Sequence, residues 1–305
     1  MTRTILLPLD GSPLAERALP YAAHLASATG ARLVLMHGDA PTAATHAPQF
    51  DVQAFAHRVR EGQAVGAISD PRRIQIDAVS TTVYTDKTAD GICATAQELQ
   101  ADAIVMSTHG QSGPGRWLYG TIADQVLRQT TVPVILVSST CSHAWTAHMP
   151  FRILVPLDGS RFAEEVLGPV NALAATLGAE LFLIGAVDEH GQSYAEGVSS
   201  FESGTDAEIR GVRDYLDRVA NGLRANGRTV HVDAEAGHAP TVIDEATRRR
   251  HIDLVAMATH GRSGVARLAL GSVASQTLLR STVPLFLVRF TMHSGGTMPA
   301  ATTRT

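Results

Sequence analysis

The chain of 305 residues has one lysine, Lys87, and two cysteines, Cys93 and Cys141. It has no Gly-Lys-Ser/Thr, and this excludes a P-loop nucleotide hydrolase, which needs that lysine on the phosphates. Two cysteines make neither a disulfide framework nor a metal-type spacing. Cys93 lies on a predicted helix face and reads as a small core residue. The formal net charge of −4 lacks the basic excess that nucleic-acid binding draws on, so no nucleic-acid partner is expected. No apolar run approaches the roughly 20 residues of a membrane span, so no membrane partner is expected either. Met1-Thr2-Arg3-Thr4 passes straight into Ile5-Leu6-Leu7, which leaves no room for a signal peptide; a cytoplasmic location is the expectation. His37, His46 and His57 have no ligand spacing, so no metal site is expected. The loops hold no paired carboxylates and no activated nucleophile, so no catalytic residue is assigned.

What the chain does contain, it contains twice. Ile5-Leu6-Leu7-Pro8-Leu9-Asp10-Gly11-Ser12 restarts as Ile153-Leu154-Val155-Pro156-Leu157-Asp158-Gly159-Ser160. Met106-Ser107-Thr108-His109-Gly110, followed after nine residues by Gly120-Thr121, returns as Met257-Ala258-Thr259-His260-Gly261, again nine residues, then Gly271-Ser272. The offset is 148 residues at the aspartates and 151 at the loop glycines. Such self-similarity marks one domain repeated. The expected division is a first domain over residues 1–140, a linker rich in Ser, Thr, His and Ala over 141–150, a second domain over 151–291 and a disordered tail over 292–305.

Within each half, apolar runs alternate with amphipathic ones. Strands are predicted at 5–9, 32–37, 74–79, 103–106 and 134–137, and again at 153–157, 180–186, 229–234, 254–257 and 285–288. Four helices lie between them in each half. The first places Leu14, Ala18, Ala22 and Leu25 on one face, opens at Ser12 with Pro13 behind it, and stops near Gly30. The last helix of the second half is predicted to open at Ser272 as N-cap. Strands apolar throughout call for a parallel sheet covered on both faces. The fold class is therefore α/β, two tandem doubly wound five-stranded sheets of Rossmann-like kind. Such sheets bind ligands beyond the carboxyl ends of their strands, where the strand order reverses. Each glycine-bearing loop runs from a strand into a helix N-terminus, a place that suits an anion such as phosphate.

These motifs resemble the universal stress protein family. Its nucleotide-binding members carry Gly, two residues, Gly, nine residues, then Gly and Ser or Thr after strand four. Both halves match from the second glycine onward, with Ser107 and Ala258 in place of the first. The opening Pro-x-Asp-Gly-Ser and the closing Thr131-Val132-Pro133 and Thr282-Val283-Pro284 resemble the family too, so the likeness covers nearly the whole chain. It implies a Rossmann-like fold akin to the adenine nucleotide alpha hydrolases and a cofactor that is ATP or a related adenine nucleotide, with Mg as its companion. The implied site residues are Pro8, Leu9, Asp10, Gly38, Met106, Ser107, His109, Gly110, Gly120 and Thr121, and then Pro156, Leu157, Asp158, Ala186, Met257, Ala258, His260, Gly261, Gly271, Ser272 and Val273. Asp10 with Gly38, and Asp158 with Ala186, would hold adenosine, and the glycine loops the phosphates. The resemblance also implies an internal pseudo-dimer through strand five, with association of two chains as a homodimer beyond it.

A plainer reading stands beside each site. The glycines could form a tight loop and a helix cap. Asp10 and Asp158 could close turns. His109 and His260 could donate to a phosphate or pack beneath the loop, and Arg116 and Arg267 could be solvated charges. The functional expectation is a stress-response binding module or sensor for an adenine nucleotide, hydrolysing it slowly if at all. The rivals are an interaction module of the same fold without nucleotide and a slow adenine-nucleotide hydrolase. Pro114, Trp117 and Tyr119 crowd the first loop, so the second half is expected to bind more tightly.

Overall fold

The computed structural model describes residues 4–39, 50–63, 74–82, 87–108, 120–145, 150–188, 205–259 and 270–289. The first half runs β1 (Thr4–Leu9), α1 (Pro13–Glu16), α2 (Leu19–Thr29), β2 (Arg32–Asp39), α3 (Val52–Arg60), β3 (Ile76–Thr82), α4 (Thr88–Glu98), β4 (Ala103–Ser107), α5 (Thr121–Gln129) and β5 (Val134–Val137). The second repeats it as β6 (Arg152–Pro156), α6 (Arg161–Glu164), α7 (Leu167–Leu177), β7 (Glu180–Val187), α8 (Thr205–Ala225), β8 (Val230–Ala236), α9 (Ala239–Arg249), β9 (Leu254–Ala258), α10 (Ser272–Arg280) and β10 (Leu285–Val288).

All ten strands join one sheet in the order β3-β2-β1-β4-β5-β10-β9-β6-β7-β8. Every pairing within a half is parallel. The halves meet where β5 pairs antiparallel with β10, Ile135 opposite Phe286. Those two residues are counterparts in the repeat, and the pairs on either side exchange counterparts, so a pseudo-twofold axis passes between them. This is the strand-five contact that the repeat and the resemblance implied. One face of the sheet carries α1, α2, α3, α6, α7 and α8 over the apolar side chains of one core. The other carries α4, α5, α9 and α10 over a second. Among the described residues no helix is long and apolar enough to cross a membrane.

Two local expectations need correction. The helix after strand one is in two pieces in each half, separated at Arg17–Ala18 and at Glu165–Val166. Pro20 and Pro169 have no N–H for the carbonyls of Glu16 and Glu165, and a proline ring crowds the carbonyl four residues back. The apolar stripe runs on across the break, with Ala18, Ala22 and Leu25 all buried. The N-cap of α10 is Gly271 rather than Ser272, and that of α5 is Gly120. Their φ angles are −64° and −58°. Any residue adopts these, so a left-handed backbone is no reason for glycine at these two places.

The edge strands are closed by their own helices. In β3 the outward carbonyl of Ile76 accepts from Arg60, and that of Ala78 from Gln53, both on α3. In β8 the carbonyls of Val230 and Val232 accept from Arg224 and Arg213 on α8.

The residues after β5 are packed, although their composition reads as a simple link. Arg17 donates to the carbonyls of Ser139 and Cys141. Thr140 donates to Ser281 O, and the backbone N–H of Ser142 and His143 to Thr282 O. His143 Nε2 lies 2.8 Å from Asp253 Oδ1. Trp145 donates to the carbonyl of Asp253 and packs edge-on against Tyr21, His24 and Phe151. The segment thus ties α1 and α2 of the first half to the start of β9 in the second.

Candidate functional site

The sheet opens where β1 meets β4, and again where β6 meets β9. These are the points at which strand order reverses. β1 keeps six paired positions with β2 but two with β4, the last at Leu6. β6 likewise pairs with β9 at Ile153 and Leu154 alone. The cause is in the sequence. Asp102 N donates to Thr4 O and Asp253 N to Arg152 O. By strand alternation, residues 4, 6 and 8 therefore face β4, and 152, 154 and 156 face β9. Pro8 and Pro156 stand where the next ladder bond would form, and neither has an N–H to give. The strands part there and leave a crevice.

Each crevice is a cavity, of ≈ 370 Å³ in the first half and ≈ 240 Å³ in the second. Pro8, Leu9, Asp10, Gly38, Met106, Ser107, Gly120 and Thr121 all line the first. Pro156, Leu157, Asp158, Ala186, Met257, Ala258, Gly271, Ser272 and Val273 all line the second. The sequence-predicted residues that the structure describes are therefore brought together in each half. His109, Gly110, His260 and Gly261, with Arg116 and Arg267, lie outside the described residues.

At the aspartates the turn reading is realised. Asp10 Oδ1 accepts from Ser12 N at 2.9 Å, and Gly11 holds φ +78°. Ser12 Oγ then caps α1 by accepting from Ala15 N at 3.1 Å. The second half repeats this with Asp158, Gly159 at φ +80°, and Ser160, whose hydroxyl also donates to Asp158 at 2.6 Å. A carboxylate has about four lone-pair sites, so a turn bond does not exhaust it. The turn holds each carboxylate at the crevice rim.

Opposite the aspartates stand the N-termini of α5 and α10. Gly120 N donates to Thr108 O at 2.6 Å and Gly271 N to Thr259 O at 2.7 Å, which fixes each helix start against the end of strand four. Neither N-cap supplies a side-chain bond to its helix. The first turn of each helix has N–H groups without intrahelical partners, and the helix dipole adds positive potential. Each described lining holds a single carboxylate. Among the described residues no group of His, Cys, Asp or Glu is arranged to hold a metal ion.

Sequence reasoning missed the floor of each cavity. Met36 and Ile92 line the first and Ile184 and Ile243 the second, and Thr108 and Thr259 line them beside the helix starts. The repeat itself was the available signal. Of the sixteen described residues lining each cavity, fifteen are counterparts at the 148 or 151 offset. His37 is unmatched in the first and Val242 in the second.

The model of the universal stress protein family matches residues 1–138 and again 149–289. A universal stress protein of Mycolicibacterium smegmatis is 25% identical over 298 residues, covering 93% of this chain and 96% of its own. A shorter one from Thermus aquaticus is 31% identical over 137 residues, 45% of this chain and 99% of its own. The crystal structure of a universal stress protein from Archaeoglobus fulgidus shares the fold, with a TM-score of 0.62 at 19% identity, over 95% of this chain and 99% of that one. The doubled sheet, the doubled crevice and the doubled family match agree, and the chain belongs to the universal stress protein family, as a tandem member.

Proposed function

We propose that this chain is a two-site binding protein for ATP or a related adenine nucleotide. The observation that carries the reading is the near-identity of two cavities at two switch points, each with an aspartate on one rim and an open helix N-terminus on the other. A carboxylate suits ribose hydroxyls, and a helix N-terminus suits phosphate. The apolar floor of Met36 and Ile92, or of Ile184 and Ile243, suits a purine face. Mg would travel with the phosphates. Each described lining holds one carboxylate and no pair of acids, and the role in this reading is binding rather than turnover. A cytoplasmic location and the pairing of two chains belong to the same proposal.

The second half is the tighter site, because its lining is the more apolar and its cavity the smaller. Mass spectrometry of the purified chain should find a retained adenine nucleotide. In calorimetric titration, Asp158→Ala should weaken the tighter site by about ten- to a hundredfold, the worth of a charge-assisted hydrogen bond. Gly271→Val should weaken the same site by filling the space beside the helix start, and Asp10→Ala should weaken the other. A chain that binds no adenine nucleotide would be an interaction module of the same fold, and the proposal would fall.

A further inference from the structure

The segment after β5 crosses the seam, and the seam directs it there. Leu136 stands opposite Leu285, so the chain leaves β5 beside the Ser281–Thr282 turn. Ser281 O accepts from Thr140 Oγ1 at 2.9 Å, and Thr282 O from the N–H groups of Ser142 and His143 at 3.0 Å. Arg17 and Tyr21 form the other wall and donate to the carbonyls of Cys141 and His143. Residues 138–145 thus fill a groove between α2 and the turn.

The pseudo-twofold axis builds a second groove from the same parts. Its turn is Thr130–Thr131, and its helix wall is Glu165, Pro169 and Ala172, the counterparts of Arg17, Tyr21 and His24. The turns match in detail: Thr130 Oγ1 accepts from Val132 N at 3.0 Å, as Ser281 Oγ does from Val283 N at 3.2 Å. Among the described residues nothing donates to the carbonyls of Thr130 and Thr131. The walls are barer as well. Tyr21 is buried and Pro169 half-buried; His24 is half-buried and Ala172 exposed. Asp253 is half-buried and its counterpart Asp102 exposed.

The chain that reaches this groove is the protein's own. Leu287 stands opposite Val134, so β10 ends beside the Thr130–Thr131 turn. The sequence continues from Arg289 as Phe290-Thr291-Met292-His293-Ser294, outside the described residues. At the 151 offset Thr291 is the counterpart of Thr140 and Met292 of Cys141, and His293 is one position from the counterpart of His143. Gly295-Gly296 then punctuates the run. Sixteen residues follow Arg289, against the eight that fill the first groove.

We propose that residues 290–294 occupy the second groove, with the Thr291 hydroxyl on Thr130 O, the N–H groups that follow on Thr131 O, and His293 against Asp102. Each half then straps the other, and the tail expected over 292–305 is anchored at its start. Glu165 accepts where Arg17 donates, so the second strap lacks the cation that holds the carbonyls of the first.

Hydrogen exchange of the full chain, read by mass spectrometry, tests this. Amides of 290–294 should exchange about tenfold or more slowly than those of 298–305, after correction for intrinsic rates, since at least two hydrogen bonds must open first. Thr291→Val keeps the shape, loses one bond, and should speed that exchange about two- to tenfold. Glu165→Arg restores the donor that Arg17 provides and should slow it by a similar factor. Exchange of 290–294 as fast as that of 298–305 overturns the proposal. So does protection that neither substitution moves, which would place the segment elsewhere. Protection that grows with protein concentration assigns the groove to a second copy and overturns it too.

Discussion

At the scale of single residues, glycines show most plainly what the fold demands. Gly185 is close-packed against Val212 of α8, and Gly222, in the last turn of α8, faces open space. Gly185→Ala forces a shift in a filled core, which costs about 1–3 kcal/mol. Gly222→Ala removes unfolded-state freedom and gains about 0.5–1 kcal/mol. Thermal unfolding should therefore show Tm lowered by the first and raised by the second; a Tm unmoved by Gly185→Ala would contradict the packing of α8. Residues such as Asp10 and Gly120 were legible as crevice residues because their chemistry recurs at Asp158 and Gly271. His37 was not. Spacing along the chain tests whether histidines can share a metal, and it says nothing of which strand end a ring stands beside.

At the scale of elements, periodicity recovered every strand and most helices. It ran through the break before Pro20 because both pieces keep the same buried face. The segment from Ser138 to Trp145 escaped that reading, since its hydrogen bonds go to residues as far away as Asp253 and Thr282. Its anchor is titratable. Burial against Trp145 and Phe151 lowers the His24 pKa from 6.5, and the nearby Asp253 carboxylate partly restores it. His143, Tyr21 and Cys141 share the cluster. A histidine whose pKa is lower folded than unfolded binds its proton more readily in the unfolded chain. Its contribution to stability is complete above about pH 6.5 and is lost as pH falls toward the folded value. Tm should drop between pH 7 and pH 5, and His24→Leu should flatten that drop. Parallel curves for the two proteins would show that His24 does not titrate in this window.

At the scale of the molecule, the antiparallel junction at β5 and β10 has two effects. The strands of the two halves run in opposite directions, so the two crevices open at opposite ends of one sheet. The halves also share their cores. Ile135 and Phe286 are 0% and 4% exposed, and α2 packs on α7 across the junction. Unfolding should therefore be one transition, with tryptophan fluorescence and far-ultraviolet circular dichroism giving the same midpoint. Phe286→Ala removes about 3–5 kcal/mol at the seam and should pull the two midpoints apart. Two midpoints in the parent chain would mean that the repeats fold separately. The number of repeats was legible from the sequence; their joining into one body depends on which apolar strand seeks which, and each half taken alone leaves that open.

The closed edges of the sheet set a limit on growth. An outer strand with bare carbonyls is a template on which another chain can lay a strand of its own. In β3 and β8 the outward carbonyls nearest the strand start already hold a guanidinium or an amide from the helix that precedes them. An incoming strand would have to displace those groups before its first bond formed. The repeat thus adds strands in the middle, where β5 finds β10, and guards the two ends. A fibril seeded by this chain would have to begin with the arginines letting go.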